Sequence, residues 1–129
     1  MKCYKVVLLD DGHYVSAAVR DLSSIYSLIY EIGKTTTPVH GKIFVFSSLD
    51  DANRFRNACY PSVILKGEAL NAEPIDTVVY FTMFSNSIND NRIRDFWECS
   101  DKKAYKYSDN APEGSMICDS FTPEEMIGA

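Results

Sequence analysis

Between Gly41 and Leu70 the chain reads Gly41-Lys42-Ile43-Phe44-Val45-Phe46, Ser47-Ser48, Leu49-Asp50-Asp51-Ala52-Asn53-Arg54-Phe55-Arg56-Asn57-Ala58-Cys59, Tyr60-Pro61, then Ser62-Val63-Ile64-Leu65-Lys66-Gly67-Glu68-Ala69-Leu70. The first run is almost continuously apolar, which predicts a central strand. Ser48 has the hydroxyl of a good N-cap, and Asp50 and Asp51 suit the positive end of a helix dipole. Leu49, Ala52, Phe55 or Arg56, and Cys59 recur at helical spacing and give a narrow apolar face, until Pro61 stops the helix. The third run is a strand again, so 41–70 reads as a strand–helix–strand unit. Glu68 alternates onto the Lys66 face, outward from the apolar one.

Working outward, Cys3-Tyr4-Lys5-Val6-Val7-Leu8-Leu9, the turn Asp10-Asp11-Gly12 and His13–Ala17 predict a β-hairpin over 3–17. Residues 19–33 fit both periodicities. A turn or helix at 20–25 followed by a strand at 26–32 is the preferred reading, with a loop at Lys34–Pro38. Ile75–Phe84 predicts another strand, and Ser85–Asn91 a polar, turn-rich loop. Residues 92–98 fit a helical turn or a strand. Ser115–Phe121 predicts the last strand. Thr122-Pro123-Glu124-Glu125 has the form of a capping box with proline at the first helical position, which predicts a short closing helix. The expectation is one α+β domain over 1–129, with a mostly antiparallel or mixed sheet of about six strands and two or three short helices.

Composition narrows the function classes. In 129 residues, 46% hydrophobic and 24% charged residues are ordinary globular values, which excludes disordered and collagen-like classes. No window approaches the roughly 18 apolar residues of a membrane span, and the first apolar run is too short for a secretory signal. A soluble, cytoplasmic protein without membrane contact is expected. Residues 1–64 carry a net +1 and residues 65–129 a net −6. The acidic half argues against a nucleic-acid footprint, because phosphate binding needs clustered Lys and Arg. The cysteines at 3, 59, 99 and 118 are too widely spaced for a zinc knuckle, and His13 and His40 stand apart, so no metal is expected. Free thiols are expected, Cys3 and Cys59 in the core and Cys99 and Cys118 partly exposed.

No glycine pattern forms a phosphate loop, and no cofactor is expected. The hydroxyls of Ser47 and Ser48 suit an anion at a helix start, but capping of that helix explains them first. The acidic pairs at 10–11, 50–51 and 124–125 fall at turns or helix starts, where local structure explains them. The aromatic group Phe96, Trp97, Tyr105 and Tyr107 falls within a polar stretch, where such residues either fill the core, the default in so small a domain, or form a recognition surface. Those four residues are the candidate surface for a host or viral protein partner.

Tyr30-Glu31-Ile32-Gly33, Gly41–Phe46, Asp51-Ala52 with Phe55, Val63–Ala69 and the closing Ala111–Pro123 resemble a group of small uncharacterised phage and prokaryotic proteins. These share a YxxG…GxxFxF…DAxxF pattern. The resemblance covers about half the chain and implies an accessory role rather than a known activity. The Gly41–Phe46 strand, Ala52 and Val63–Leu65 are also distantly similar in shape to the ADP-ribosyltransferase-like fold. That likeness implies an alternative, an enzyme or nucleotide-binding protein with a cleft near Tyr14, Tyr30 and Ser47. The chain lacks an ExE pair. Since no nucleophile, base and oxyanion donor converge in the sequence, binding is the preferred reading.

Overall fold

In a computed structural model that describes residues 1–17, 24–58, 62–79 and 90–127, strands β1 (Lys2–Asp10) and β2 (His13–Ser16) form the expected hairpin. Their register runs from Asp10↔His13 to Val7↔Ser16. Asp11 and Gly12 take φ of 49° and 81°, the left-handed pair of a tight hairpin turn whose twist matches the strands. Strand β3 (Ile29–Tyr30) pairs with β2 and is shorter than the 26–32 expected. Local turns bound it on both sides: Ser27 N–H bonds to Ser24 O, and Lys34 N–H to Glu31 O with Gly33 at φ 85°. The expected turn or helix at 20–25 falls mostly outside the described residues.

Strand β4 (Ile43–Phe46), helix α1 (Leu49–Ala58) and strand β5 (Val63–Leu70) realise the strand–helix–strand unit. Ser48 caps α1 on both counts: its hydroxyl accepts from Asp51 N–H at 3.2 Å and donates to the Asp51 carboxylate at 2.8 Å. Both β4 and β5 run antiparallel to β1, so they are parallel to each other with β1 between them. α1 lays Leu49, Ala52 and Phe55 over Val6, Phe46 and Ile64. Glu68 is exposed, as the alternation requires, and lies 3.5 Å from Lys2 Nζ.

The rest of the chain adds β6 (Glu73–Pro74), β7 (Thr77–Val79), helix α2 (Asp90–Glu98), a 3-10 turn at Lys102–Ala104, β8 (Ser108–Asn110), β9 (Ser115–Cys118) and β10 (Ser120–Ile127). The architecture is α+β and, among the described residues, every strand pairing is antiparallel. Among the described residues ten strands appear where about six were expected, because β3, β6, β7 and β8 are two- or three-residue pieces too short to leave a periodic signature. Only Thr77–Val79 of the expected 75–84 strand is described as strand. Residues 80–89, including most of the expected loop at 85–91, lie outside the described residues.

The large sheet follows the order β10-β5-β1-β4-β9-β6, with β2 and β3 extending from β1. Only Asp119 separates β9 from β10, yet β9 pairs with β4 and β10 with β5. The sheet therefore curls on itself, and β1, β5, β10, β9 and β4 close a ring. Thr36 and Phe121 tie the β3 side into it by reciprocal backbone bonds of 2.9 and 3.0 Å. Cys3, Val7, Tyr30, Leu65, Cys118 and Phe121 fill the interior. Cys118 is fully buried rather than partly exposed, because alternation within β9 turns it inward beside Ile43.

The expected closing helix at Thr122–Glu125 is a strand instead. The capping-box signal is local, whereas the outer edge of β5 offers a ladder of seven residue pairs that a terminal turn of helix cannot match. A register shift between Pro123 and Glu125 absorbs the proline, and Gly67 opposite it lets the two backbones close up. Lys2 Nζ then reaches Glu124 at 2.6 Å.

Candidate functional site

Helix α2 organises the region that holds the four candidate aromatics. The ambiguous 92–98 segment is helical because Ile93, Phe96 and Trp97 stack on one stripe when spaced three and four apart. Phe96 is 0% exposed and packs with Val79 and Ile93, so it supports the surface from beneath. The Trp97 ring lies 5.2 Å from Phe96 and 5.4 Å from Phe44 of β4. Gly41 sits under the indole with φ +76°. A Cβ there would come within 2.5 Å of the ring, so only glycine fits this junction. Lys102 closes the C-terminal end of α2 by donating to Cys99 O at 2.8 Å.

Tyr105 is half-buried against the same cluster, and desolvation raises its phenol pKa. Its ring meets Tyr107 edge-to-face at 5.8 Å. Above Tyr107 the Arg92 guanidinium carbon stands 3.9 Å from the ring centroid and Lys106 Nζ 5.0 Å. Neighbouring cations are neutralised, Arg94 by Asp95 at 3.3 Å and Lys103 by Asp76 at 2.7 Å. Among the described residues no ion pair includes Arg92 or Lys106. Two cations thus share one tyrosine ring in the acidic half of the chain, with no ion pair to a described carboxylate. The structure brings Phe96, Trp97 and Tyr105 into one packed cluster and leaves Tyr107 beside it, on the Arg92 flank of α2.

The opposite flank, along Asp90, Arg94 and Glu98, carries a different set. Ser24 Oγ donates to Asp90 at 2.6 Å, and the Tyr26 hydroxyl meets His40 Nδ1 at 2.8 Å. His40 Nε2 lies 3.8 Å from Glu98, so His40 links two loops to the helix. His13 is exposed at the hairpin turn. Among the described residues no group of three or more His, Cys, Asp or Glu side chains could hold a metal ion.

A cavity of about 140 Å³ opens between these elements, at the place where the sheet forks. β4 and β2 occupy the same edge of β1. The first pairs at Tyr4, the second from Val7 onward. The lining records this geometry, since consecutive residues Ile43, Phe44, Val45 and Phe46 all face the cavity. Alternate side chains of a strand point to opposite faces, so all four can line one space only if it lies against the strand's edge. Trp97, Tyr26 and Ile93 complete the wall on the helix side.

Tyr30 also lines this cavity, but Tyr14 and Ser47 do not. Tyr30 is 2% exposed, packed edge-to-face on Phe121, and burial raises its phenol pKa strongly. Ser47 is exposed after β4, and the neighbouring Ser48 hydroxyl is committed to Asp51.

No family model matches this chain, and no curated protein or solved structure matches it significantly. Likeness to the small phage and prokaryotic proteins therefore rests on the quoted motifs alone. Two parts of the site were missed in the sequence. The fork is set by which strands share an edge of β1, and no local pattern encodes that. The cation–aromatic stack did leave a signal, the alternation Tyr105-Lys106-Tyr107, but its partner Arg92 is a distant residue.

Proposed function

We propose that the protein acts by binding a partner protein, and that the contact centres on Tyr107 with Arg92 and Lys106. Trp97 and Tyr105 stiffen it from behind. The observation that carries this reading is the pair of cations stacked on one tyrosine, neither of them in an ion pair with a described carboxylate. Tyrosine and arginine are the residue types that concentrate binding energy at interfaces. A cation–aromatic stack holds Arg92 in one orientation, which lowers the ordering cost of docking. Charge complementarity favours a partner segment that offers carboxylates.

Quantitative affinity capture from host lysate tests the reading, comparing wild type with Tyr107→Ala and Arg92→Glu. The expected result is a partner with an acidic segment that wild type retains and both variants lose. Its affinity should fall as salt rises, since the cations are exposed. A captured set that neither substitution changes would refute the proposal.

A further inference from the structure

Arg92 and Lys106 both place their charge over the ring of Tyr107, at 3.9 Å and 5.0 Å from its centre. Among the described residues neither side chain has a hydrogen bond or an ion pair. Residues 80–89, which precede α2 in the chain, contain no Asp or Glu. Outside the described residues the only acidic side chain is that of Asp21, close in sequence to Ser24, and Ser24 bonds Asp90 on the opposite flank of α2. Nearby carboxylates are taken, since Asp76 holds Lys103 at 2.7 Å and Asp95 holds Arg94 at 3.3 Å. The hydroxyls of Tyr105 and Tyr107, on rings 5.8 Å apart, add two donors that no described residue engages.

Stacking occupies the face of a guanidinium and leaves its N–H donors free in the plane, where their fork fits two oxygens of one anion. Lys106 adds a rotatable point charge beside that fork. A carboxylate brings one charge and two oxygens, which leaves one of the two cations unmatched. A phosphate monoester brings a charge of about −2 at neutral pH and three acceptor oxygens, enough for the Arg92 fork together with Lys106 or a tyrosine hydroxyl. We infer that the partner group docked on Tyr107 is a phosphorylated side chain, which rests on reading this surface as a site for a protein partner. Paired cations around a planar fork are the usual means of holding such a group.

Two capped tripeptides, Gly-phosphoserine-Gly and Gly-Glu-Gly, and inorganic phosphate are titrated into the isotope-labelled full chain at constant ionic strength. The amide resonances of Lys106 and Tyr107 and the side-chain N–H of Arg92 report occupancy at the site itself. The expected result is a saturable shift at these positions with the phosphopeptide, and at least tenfold weaker binding of the glutamate peptide. Arg92→Gln and Lys106→Gln, both at exposed positions, should each weaken phosphopeptide binding at least fivefold. Equal affinity for the two peptides, tighter binding of inorganic phosphate than of the phosphopeptide, or shifts confined to other residues would overturn the inference. Capture from host lysate is then repeated after phosphatase treatment, which should abolish retention of the partner. A Tyr107-dependent partner that survives phosphatase would overturn the phosphate and leave the protein-binding reading intact. With no Tyr107-dependent partner at all, both fall.

Discussion

Substituting Gly67 by alanine tests the closest backbone contact in the sheet. Gly67 lies at the centre of β5 opposite Pro123, and a Cβ there would stand 2.2 Å from Thr122 O and 2.8 Å from Pro123 Cα. Cβ atoms essentially never come within 3.0 Å of other atoms, so the β10 backbone must retreat by about 0.8 Å. Two effects compete. Replacing a strand glycine by alanine is favourable by about 0.5–1 kcal/mol through reduced chain entropy. Against it stand an overpacking cost of about 1–3 kcal/mol, at its upper end because the obstacle is backbone, and a strained ladder bond worth about 1 kcal/mol. The clash wins, with a net loss of about 2–3 kcal/mol. For a chain of this size that lowers the thermal midpoint by about 10 °C. Urea unfolding followed by circular dichroism measures the loss. Gly12→Ala serves as the control, since its Cβ meets nothing within 4 Å and only the φ of +81° is at stake, for about 1 kcal/mol. If Gly67→Ala is as stable as wild type, the tight β5–β10 register is wrong.

Phe96→Ala should cost about 3–5 kcal/mol as a core truncation, whereas Tyr107→Ala should cost under about 1 kcal/mol; chemical denaturation of both variants separates support from surface. Timed thiol labelling of the native protein should modify half-buried Cys99 well before Cys3 and Cys118, because burial raises both thiol pKa values and pushes Cys118 up to about 11; labelling of Cys118 at the rate of Cys99 would contradict its place in the ring. The hydrogen bond from Lys42 holds the Asp119 carboxyl below its ordinary pKa. Its contribution is therefore complete above the unfolded-state pKa of about 3.9 and is lost as pH falls through the lower folded-state value. Unfolding measured from pH 6 to pH 2 should show Asp119→Asn losing less stability on acidification than wild type.

Where side-chain periodicity and turn chemistry act over neighbouring residues, the sequence by itself determined the outcome. The Asp11-Gly12 turn, the Ser48 cap and the apolar stripe of α1 are each settled within about ten residues, so the hairpin and the strand–helix–strand unit were legible. Glu68 could be turned outward from alternation alone. Of the four candidate aromatics, sequence picked out the right neighbourhood but not the division of labour. Only packing decides that Phe96 is core and Tyr107 surface. The fate of Thr122–Glu125 also lay beyond local reading: a capping box and a β-edge compete there, and the ladder on β5 wins because it joins seven residue pairs closed against Gly67. The sharing of one β1 edge lies furthest from local reading. β2 pairs there from Val7 onward and β4 at Tyr4, and since these strands are far apart in sequence, that division is a property of the whole sheet rather than of any segment.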